Sequence, residues 1–249
     1  MSWSVAIDIE ILREVLYYRL VRQVVTGHEF SLSKMAEEME LICKNLSRHL
    51  NCLANENKAT RKRALEAIKK EVVKKQPRTD PEILNKVLHE LIRPLLIMFS
   101  DPVASCREQA IAMLGEMIEQ VSDPHDFLQF IIPVLVQRLG QLNVVEPMEE
   151  VRLQLVELTH KLIELSTKRI APYLDDIIKI LQRTITDQFA EVKKESCRCA
   201  SSLAQNIPEH FHTQSESLIA PLVQKDTLGH QHSKVRVAAI RTIGELFVT

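Results

Sequence analysis

The stretch Ile131-Ile132-Pro133-Val134-Leu135 puts a proline two residues after an isoleucine inside an apolar run. The same arrangement returns at 92–96, 170–174 and 219–223, each time with Pro at the third position. Proline inside a helical pattern removes a backbone N–H donor and bends the helix. A bend that recurs along the chain therefore predicts a repeated helical unit.

A second motif alternates with the first and pairs an anchor residue with a basic residue. The five copies, spaced by 46, 45, 41 and 43 residues, are Thr60-Arg61, Cys106-Arg107, Val151-Arg152, Val192-Lys193 and Val235-Arg236. Positions 4, 7, 8 and 11 after an anchor share one face of a helix, and after Cys106 they are Ala110, Met113, Leu114 and Met117. Each motif therefore predicts the start of a helix with one buried face.

Helix pairs of this length, with a kinking proline in the first helix and a basic start to the second, resemble the HEAT repeat. The sequence therefore predicts an all-α protein, an α-solenoid of about five HEAT-type helix pairs. We place the solenoid at 35–249, after an N-terminal helical extension at 1–34. The predicted repeats are about 36–76, 80–121, 124–165, 168–207 and 209–249. Three aspartates that precede proline are predicted to cap helix N-termini, namely Asp80, Asp101 and Asp123.

Composition excludes several other classes of protein. The 249 residues are 45% hydrophobic and 26% charged with a net charge of −1, as in a soluble globular chain. Five glycines and eleven aromatic residues are too few for a β-sandwich, a barrel or a glycine-rich nucleotide fold. Five scattered cysteines and the lack of a long apolar segment predict a cytoplasmic protein without a membrane span.

No motif for a phosphate-binding loop, a catalytic serine elbow or a metalloprotease is present, so we expect no enzyme activity and no cofactor. One alternative is a zinc-dependent enzyme built on Cys197, Cys199, His210 and His212. Residues two apart on a helix point about 200° apart, which favours simple packing of the two cysteines. The carboxylates of Glu146, Glu149, Glu150, Asp175 and Asp176 are expected to line helix N-termini and the surface.

Residues 58–78 carry nine basic residues against two acidic ones. The candidate partner-binding basic strip consists of Lys58, Arg61, Lys62, Arg63, Lys69, Lys70, Lys74 and Lys75. No aromatic residues interleave for base stacking, so a solvated face is favoured over a nucleic-acid site. An acidic protein partner is the remaining interpretation of the strip.

Residues 187–222, which include Phe189-Ala190-Glu191-Val192 and Ile219-Ala220-Pro221, are more specific than a generic HEAT unit. They resemble the dynein axonemal assembly factor 5 family, a match that is clear over about 147–243, weaker over 36–146 and absent over 1–34. The loop at 224–232 departs slightly from that family, and the chain ends near the middle of what the family usually carries, as expected for an N-terminal part or a short isoform.

The resemblance implies a non-catalytic cytoplasmic scaffold for preassembly of the outer and inner dynein arms of motile cilia. It implies axonemal dynein chains, other assembly factors and chaperones as partners, held on the concave face of the second helices, with no nucleic acid and no membrane. A generic HEAT-repeat adaptor of the transport-receptor or phosphatase-scaffold type is the alternative, because a fold alone does not fix a function.

Overall fold

The computed structural model describes Glu37, residues 40–42 and residues 44–248. The predicted extension at 1–34 lies outside these residues. After a helical segment at 44–53, the longer helices are α1 (Lys58–Val72), α2 (Pro81–Met98), α3 (Ala104–Ile118), α4 (Leu128–Leu139), α5 (Glu149–Ser166), α6 (Leu174–Thr184), α7 (Ala190–Asn206), α8 (Pro208–Leu222) and α9 (Ser233–Val248). Short 3₁₀ turns cover Pro124–Phe127 and Thr167–Tyr173, and one helical turn covers Lys225–Leu228.

The helices form two layers that run the length of the described chain. The B helices α1, α3, α5, α7 and α9 contact one another in that order, and the A helices α2, α4, α6 and α8 form the second layer. One continuous apolar core extends between the layers from Ile42 to Leu246. This stacking of successive helix pairs confirms the predicted α-solenoid.

Every B helix begins two residues before its sequence anchor, at Lys58, Ala104, Glu149, Ala190 and Ser233. The stripe predicted from α3 is fully buried, because the side chains of Ala110, Met113, Leu114 and Met117 lie on the face that packs into the core. The 3.6-residue period therefore identified both the start and the buried face of these helices.

Proline takes two different places in the A layer. Pro94, Pro133 and Pro221 lie inside α2, α4 and α8, as predicted. Pro172 lies in the 3₁₀ turn before α6, so the prediction of a fourth proline-bent α-helix was wrong. Helix α5 passes into this turn at Thr167, whose φ of 47° reverses the chain without a loop, and the tighter 3₁₀ geometry spans the short distance to α6.

The three predicted aspartate caps also differ. Asp80 accepts a hydrogen bond from the Glu82 N–H at the start of α2, and Asp123 caps the turn Pro124–Phe127. Asp101 is not a helix cap, because α3 begins at Ala104 with Val103 in the capping position. The Asp101 carboxylate instead faces Arg61 of the preceding B helix. No helix within the described residues has the length and apolar character needed to cross a membrane.

Candidate functional site

Buried or largely buried ion pairs join consecutive repeats at one edge of the B layer. Arg61 Nε and Nη2 donate to the two carboxylate oxygens of Asp101 at 2.6 and 3.0 Å. Arg152 makes the same bidentate contact with Asp187 at 2.7 and 2.9 Å. Between these pairs, Arg107 Nη2 lies 2.7 Å from Glu146 Oε1. We call these three pairs the ion-pair ladder. Each arginine follows an anchor, and each carboxylate stands five residues before the next anchor.

The same groups also fix the loops that precede the B helices. Arg61 donates to the carbonyl oxygens of Asn55 and Glu56, and Arg152 to those of Glu146 and Pro147. In addition, the carboxylates accept a hydrogen bond from the N–H two residues further on, at Val103, Met148 and Phe189. Every pair of the ladder therefore holds a loop in its own repeat and a loop in the next one.

Glu146 is the most enclosed carboxylate of the ladder, with 0% of its surface exposed. It accepts hydrogen bonds from both Arg107 and Arg138. Burial opposes its ionisation, but the bonds from Arg107, the Met148 N–H and Arg138 outweigh that cost and hold the pKa of Glu146 below its usual value. The expectation that Glu146 is a surface carboxylate was therefore wrong, because its partners come from outside its own loop.

The fourth position of the ladder breaks the pattern, because a lysine and a histidine replace the arginine and the carboxylate. Lys193 occupies the arginine position and is 2% exposed, and His230 stands five residues before the anchor Val235. Within the described part of the chain, the Lys193 ammonium makes no hydrogen bond or ion pair. Burial lowers the pKa of Lys193, against the attraction of Asp226 and Asp187. The α7–α9 junction is therefore closed without a buried ion pair.

We expect stability to depend on pH at this junction. Burial, then His232, then Lys193 lower the pKa of His230 below its ordinary value of about 6.5, although Asp226 pulls the other way. Protons therefore bind the unfolded state more readily, so the free energy of unfolding falls as pH drops from about 6.5 through the folded pKa. His230→Asn keeps a side-chain acceptor, as Asn55 does in the first repeat, and removes the titration.

Urea unfolding between pH 5 and 7 is the measurement, and the expected result is a flatter profile for His230→Asn than for the original chain. His230→Asp supplies the missing carboxylate and is expected to raise stability at pH 7 by about 1 kcal/mol. Parallel profiles for the original chain and His230→Asn would contradict the role of His230.

The basic strip does not form one continuous surface. Arg61 is buried in the ladder, and Lys69 pairs with Glu116 of α3 at 2.5 Å. The other strip residues on α1 fall on two stripes about 100° apart, Lys58 with Lys62 and Arg63 with Lys70. Lys74 is exposed just after α1, and Lys75 is half-buried.

The four residues of the zinc alternative lie in different environments. Cys197 and Cys199 are buried in α7, whereas His210 and His212 are exposed on α8. Burial raises the pKa of Cys197 to about 11 and that of Cys199 well above its usual value, which disfavours the thiolate that a metal requires. No cluster of metal ligands is found among the described residues.

A groove of about 510 Å³ lies on the solvent side of the B layer, between α5, α7 and α9. Its α5 side holds His160, whose Nδ1 is 2.6 Å from Glu195 Oε1 and whose Nε2 is 2.9 Å from Ser202 Oγ. Glu195 also accepts from Arg198 Nη1 at 2.8 Å. Burial raises the pKa of Glu195, but these hydrogen bonds outweigh it and lower the pKa below the usual value. An ionised Glu195 thus positions both His160 and Arg198.

The order serine, histidine, carboxylate is that of a hydrolase triad. Ser202, however, lies inside α7, where backbone N–H groups are used by the helix and are not available to stabilise an oxyanion. The network therefore supports the positioning of side chains at a binding surface. Sequence reasoning missed this groove, because its residues come from three helices and each resembles an ordinary exposed helix position.

The stacked helix pairs with one continuous core define a helical-repeat protein of the α-solenoid class. A family model described as Dynein axonemal assembly factor 5-like, TPR repeats, matches residues 52–249. The chain belongs to this family, which confirms the resemblance seen in the sequence. Its repeat spacing of 41–46 residues is that of HEAT repeats rather than the roughly 34 residues of TPR units.

Two relatives show the extent of the similarity. Dynein axonemal assembly factor 5 of Xenopus laevis is 51% identical over 203 residues, covering 82% of this chain and 24% of the relative. The protein of the same name from Homo sapiens is 41% identical over 226 residues, covering 89% and 26%. The chain thus spans about a quarter of the length of these curated relatives.

Two engineered proteins of known structure have a similar fold. An engineered protein matches with a TM-score of 0.60 and 16% identity, over 81% of this chain and 78% of that one. A designed armadillo repeat protein in complex with a (KR)4 peptide matches with a TM-score of 0.59 and 17% identity, over 88% and 92%. At these identities the likeness concerns the fold alone.

Proposed function

We propose that this chain is a non-catalytic cytoplasmic scaffold module that acts in the preassembly of the outer and inner arms of axonemal dynein. The observation that carries this proposal is its membership of a family whose relatives are named dynein axonemal assembly factor 5. Its partners are then dynein chains, other assembly factors and chaperones in cells that build motile cilia.

The geometry supports a scaffold in two ways. Ion pairs link successive repeats, so the surface side chains of the B layer are carried by helices that are joined to one another. In addition, a solenoid offers an extended surface on which many shallow contacts add up to useful affinity. The groove between α5, α7 and α9 is part of that surface, and we propose the exposed residues of the basic strip as a second contact for an acidic partner.

Affinity capture from the cytosol of cells that build motile cilia tests the proposal, with mass spectrometry of the bound proteins. We expect dynein heavy or intermediate chains together with chaperones, and a lower yield of them with Lys62→Glu/Lys70→Glu. The matched control is Lys86→Glu/Lys179→Glu on the A helices, which changes the net charge equally. Capture of chaperones and other partners from unciliated cells, without dynein chains, would favour the generic adaptor instead.

A further inference from the structure

The groove between α5, α7 and α9 is lined by more basic than acidic side chains. Four cations reach it from two consecutive B helices, Lys194 and Arg198 from α7 and Lys234 and Arg241 from α9. Arg198 and Arg241 have 66% and 78% of their side chains exposed. Val237 and Ala238 add an apolar part to the lining, and no Phe, Tyr or Trp side chain is among the lining residues.

The carboxylates beside these cations differ in how strongly they compete with a ligand, since the largely buried Glu195 already holds Arg198 and Glu164 lies beside His160 on the α5 side of the lining. Arg241 lies 3.5 Å from Glu245 one turn further along α9, and Lys194 pairs with Glu191 within α7. In each pair one partner is more than half exposed, and pairs within one helix contribute about 0.3–0.5 kcal/mol, so an incoming carboxylate can share the cation. Lys234 makes no ion pair with any described residue. The lining thus contains four cations and two carboxylates, Glu164 and Glu245, and Lys234 is the lysine that a ligand can engage without displacing an ion pair among the described residues.

The neighbouring part of the B layer has the opposite charge. Four acidic residues, Glu108, Glu116 and Glu119 on α3 and Glu157 on α5, lie at or near the surface there. Lys69 and Lys161 offset part of this charge through pairs with Glu116 and Glu119. An anionic ligand is thus attracted to α7 and α9 and repelled by the acidic residues of α3 and α5, which favours the groove end of this surface.

We propose that the groove between α5, α7 and α9 binds an acidic, extended segment of a partner protein. Carboxylates of that segment contact Arg198, Lys234 and Arg241, and its small or apolar residues lie on Val237 and Ala238. A single strand of nucleic acid fits less well, because the groove offers no Phe, Tyr or Trp for stacking, both ring nitrogens of His160 are already hydrogen-bonded, and the acidic neighbours oppose a continuing phosphate backbone. The identity of the partner in the cell rests on the proposed function, and the lining of the groove adds the chemistry of the segment that is bound.

The test measures fluorescence anisotropy of a fluorescein-labelled (Glu-Gly)6 peptide with the full chain, beside a (Lys-Gly)6 peptide. We expect saturable binding of the acidic peptide alone, weakened by added salt. Lys234→Glu/Arg241→Glu, whose side chains lie outside the Glu195 network, is expected to weaken binding about tenfold. Arg198→Gln provides a second variant, and Lys86→Glu/Lys179→Glu on α2 and α6 is the control, with less than about a twofold effect.

The proposal is overturned if the acidic peptide does not bind or if the basic peptide binds equally well. It is also overturned if the groove and control variants lose binding equally. A fourth contrary result is tighter binding of a single-stranded oligodeoxynucleotide that the groove variant abolishes. Thermal unfolding of each variant shows whether a loss of binding follows a loss of fold. The peptide contains no dynein sequence, so the two proposals fail separately. If dynein chains are captured but the acidic peptide does not bind, only the proposed binding site in the groove is wrong.

Discussion

Replacing Glu146 by glutamine is expected to lower the free energy of unfolding by about 3–5 kcal/mol. The substitution keeps the size of the side chain but removes the only carboxylate that the structure places against both Arg107 and Arg138 in the described chain. Two nearly buried guanidinium groups then lose their charged acceptor, and an uncompensated buried charge is far more costly than a lost surface pair.

Urea unfolding of Glu146→Gln at pH 7 measures this loss, with Glu216→Gln on the exposed face of α8 as the control. The pH dependence provides a second check. Because the folded pKa of Glu146 is depressed, its stabilisation is present above the unfolded pKa of about 4.3 and disappears as pH falls through the folded value. The difference between the original chain and Glu146→Gln should therefore shrink in acid. A loss below about 1 kcal/mol at pH 7 would contradict the assigned role.

Removing the Arg152–Asp187 pair is expected to show strong coupling between the two residues. Arg152→Met and Asp187→Asn each should cost about 3 kcal/mol, because either change leaves a largely buried charge without its partner. The double variant should cost about 1–2 kcal/mol less than the sum of the two. A complete double-mutant cycle by urea unfolding measures this coupling, and strictly additive losses would show that the pair contributes little.

Exchanging the two residues should not restore stability. Arg152 also donates to the carbonyl oxygens of Glu146 and Pro147, whereas Asp187 accepts from the Phe189 N–H. A carboxylate at position 152 would face those carbonyl oxygens, and a guanidinium at position 187 could not accept the backbone bond. The exchanged chain is therefore expected to be less stable than the neutral double variant. Full recovery would indicate that only the net charge of the pair matters.

Much of the fold could be predicted from local sequence pattern, because helix starts and buried stripes depend on residues close together in the chain. The anchors at Cys106 and Val151, for example, mark helices that begin two residues earlier. Pro172 was misplaced because the same apolar motif fits a 3₁₀ turn as well as an α-helix. The turn at Thr167, which comes just before the motif around Pro172, decides between the 3₁₀ turn and the α-helix.

The ladder was missed for a different reason. Asp101 and Glu146 have ordinary local interpretations, as a helix cap and a loop carboxylate, whereas their partners Arg61 and Arg107 lie 40 and 39 residues away. A signal was available in the repeats themselves. When the anchors are aligned, an acid stands five residues before three of them and a basic residue directly follows all five. Comparing equivalent positions across repeats would have paired them.

The lysine and histidine at the fourth ladder position bear on how the array responds to force. When a solenoid is stretched along its axis, its repeats separate where the bond between neighbours is weakest, since each repeat contacts only those beside it. Three junctions are closed by buried arginine–carboxylate pairs, whereas α7 meets α9 with Lys193 and His230 at that point. The α7–α9 junction therefore resists stretching through apolar packing and the hydrogen bonds that Thr242 makes with Ser201 and with the Cys197 carbonyl oxygen, and protonation of His230 at lower pH is expected to weaken it.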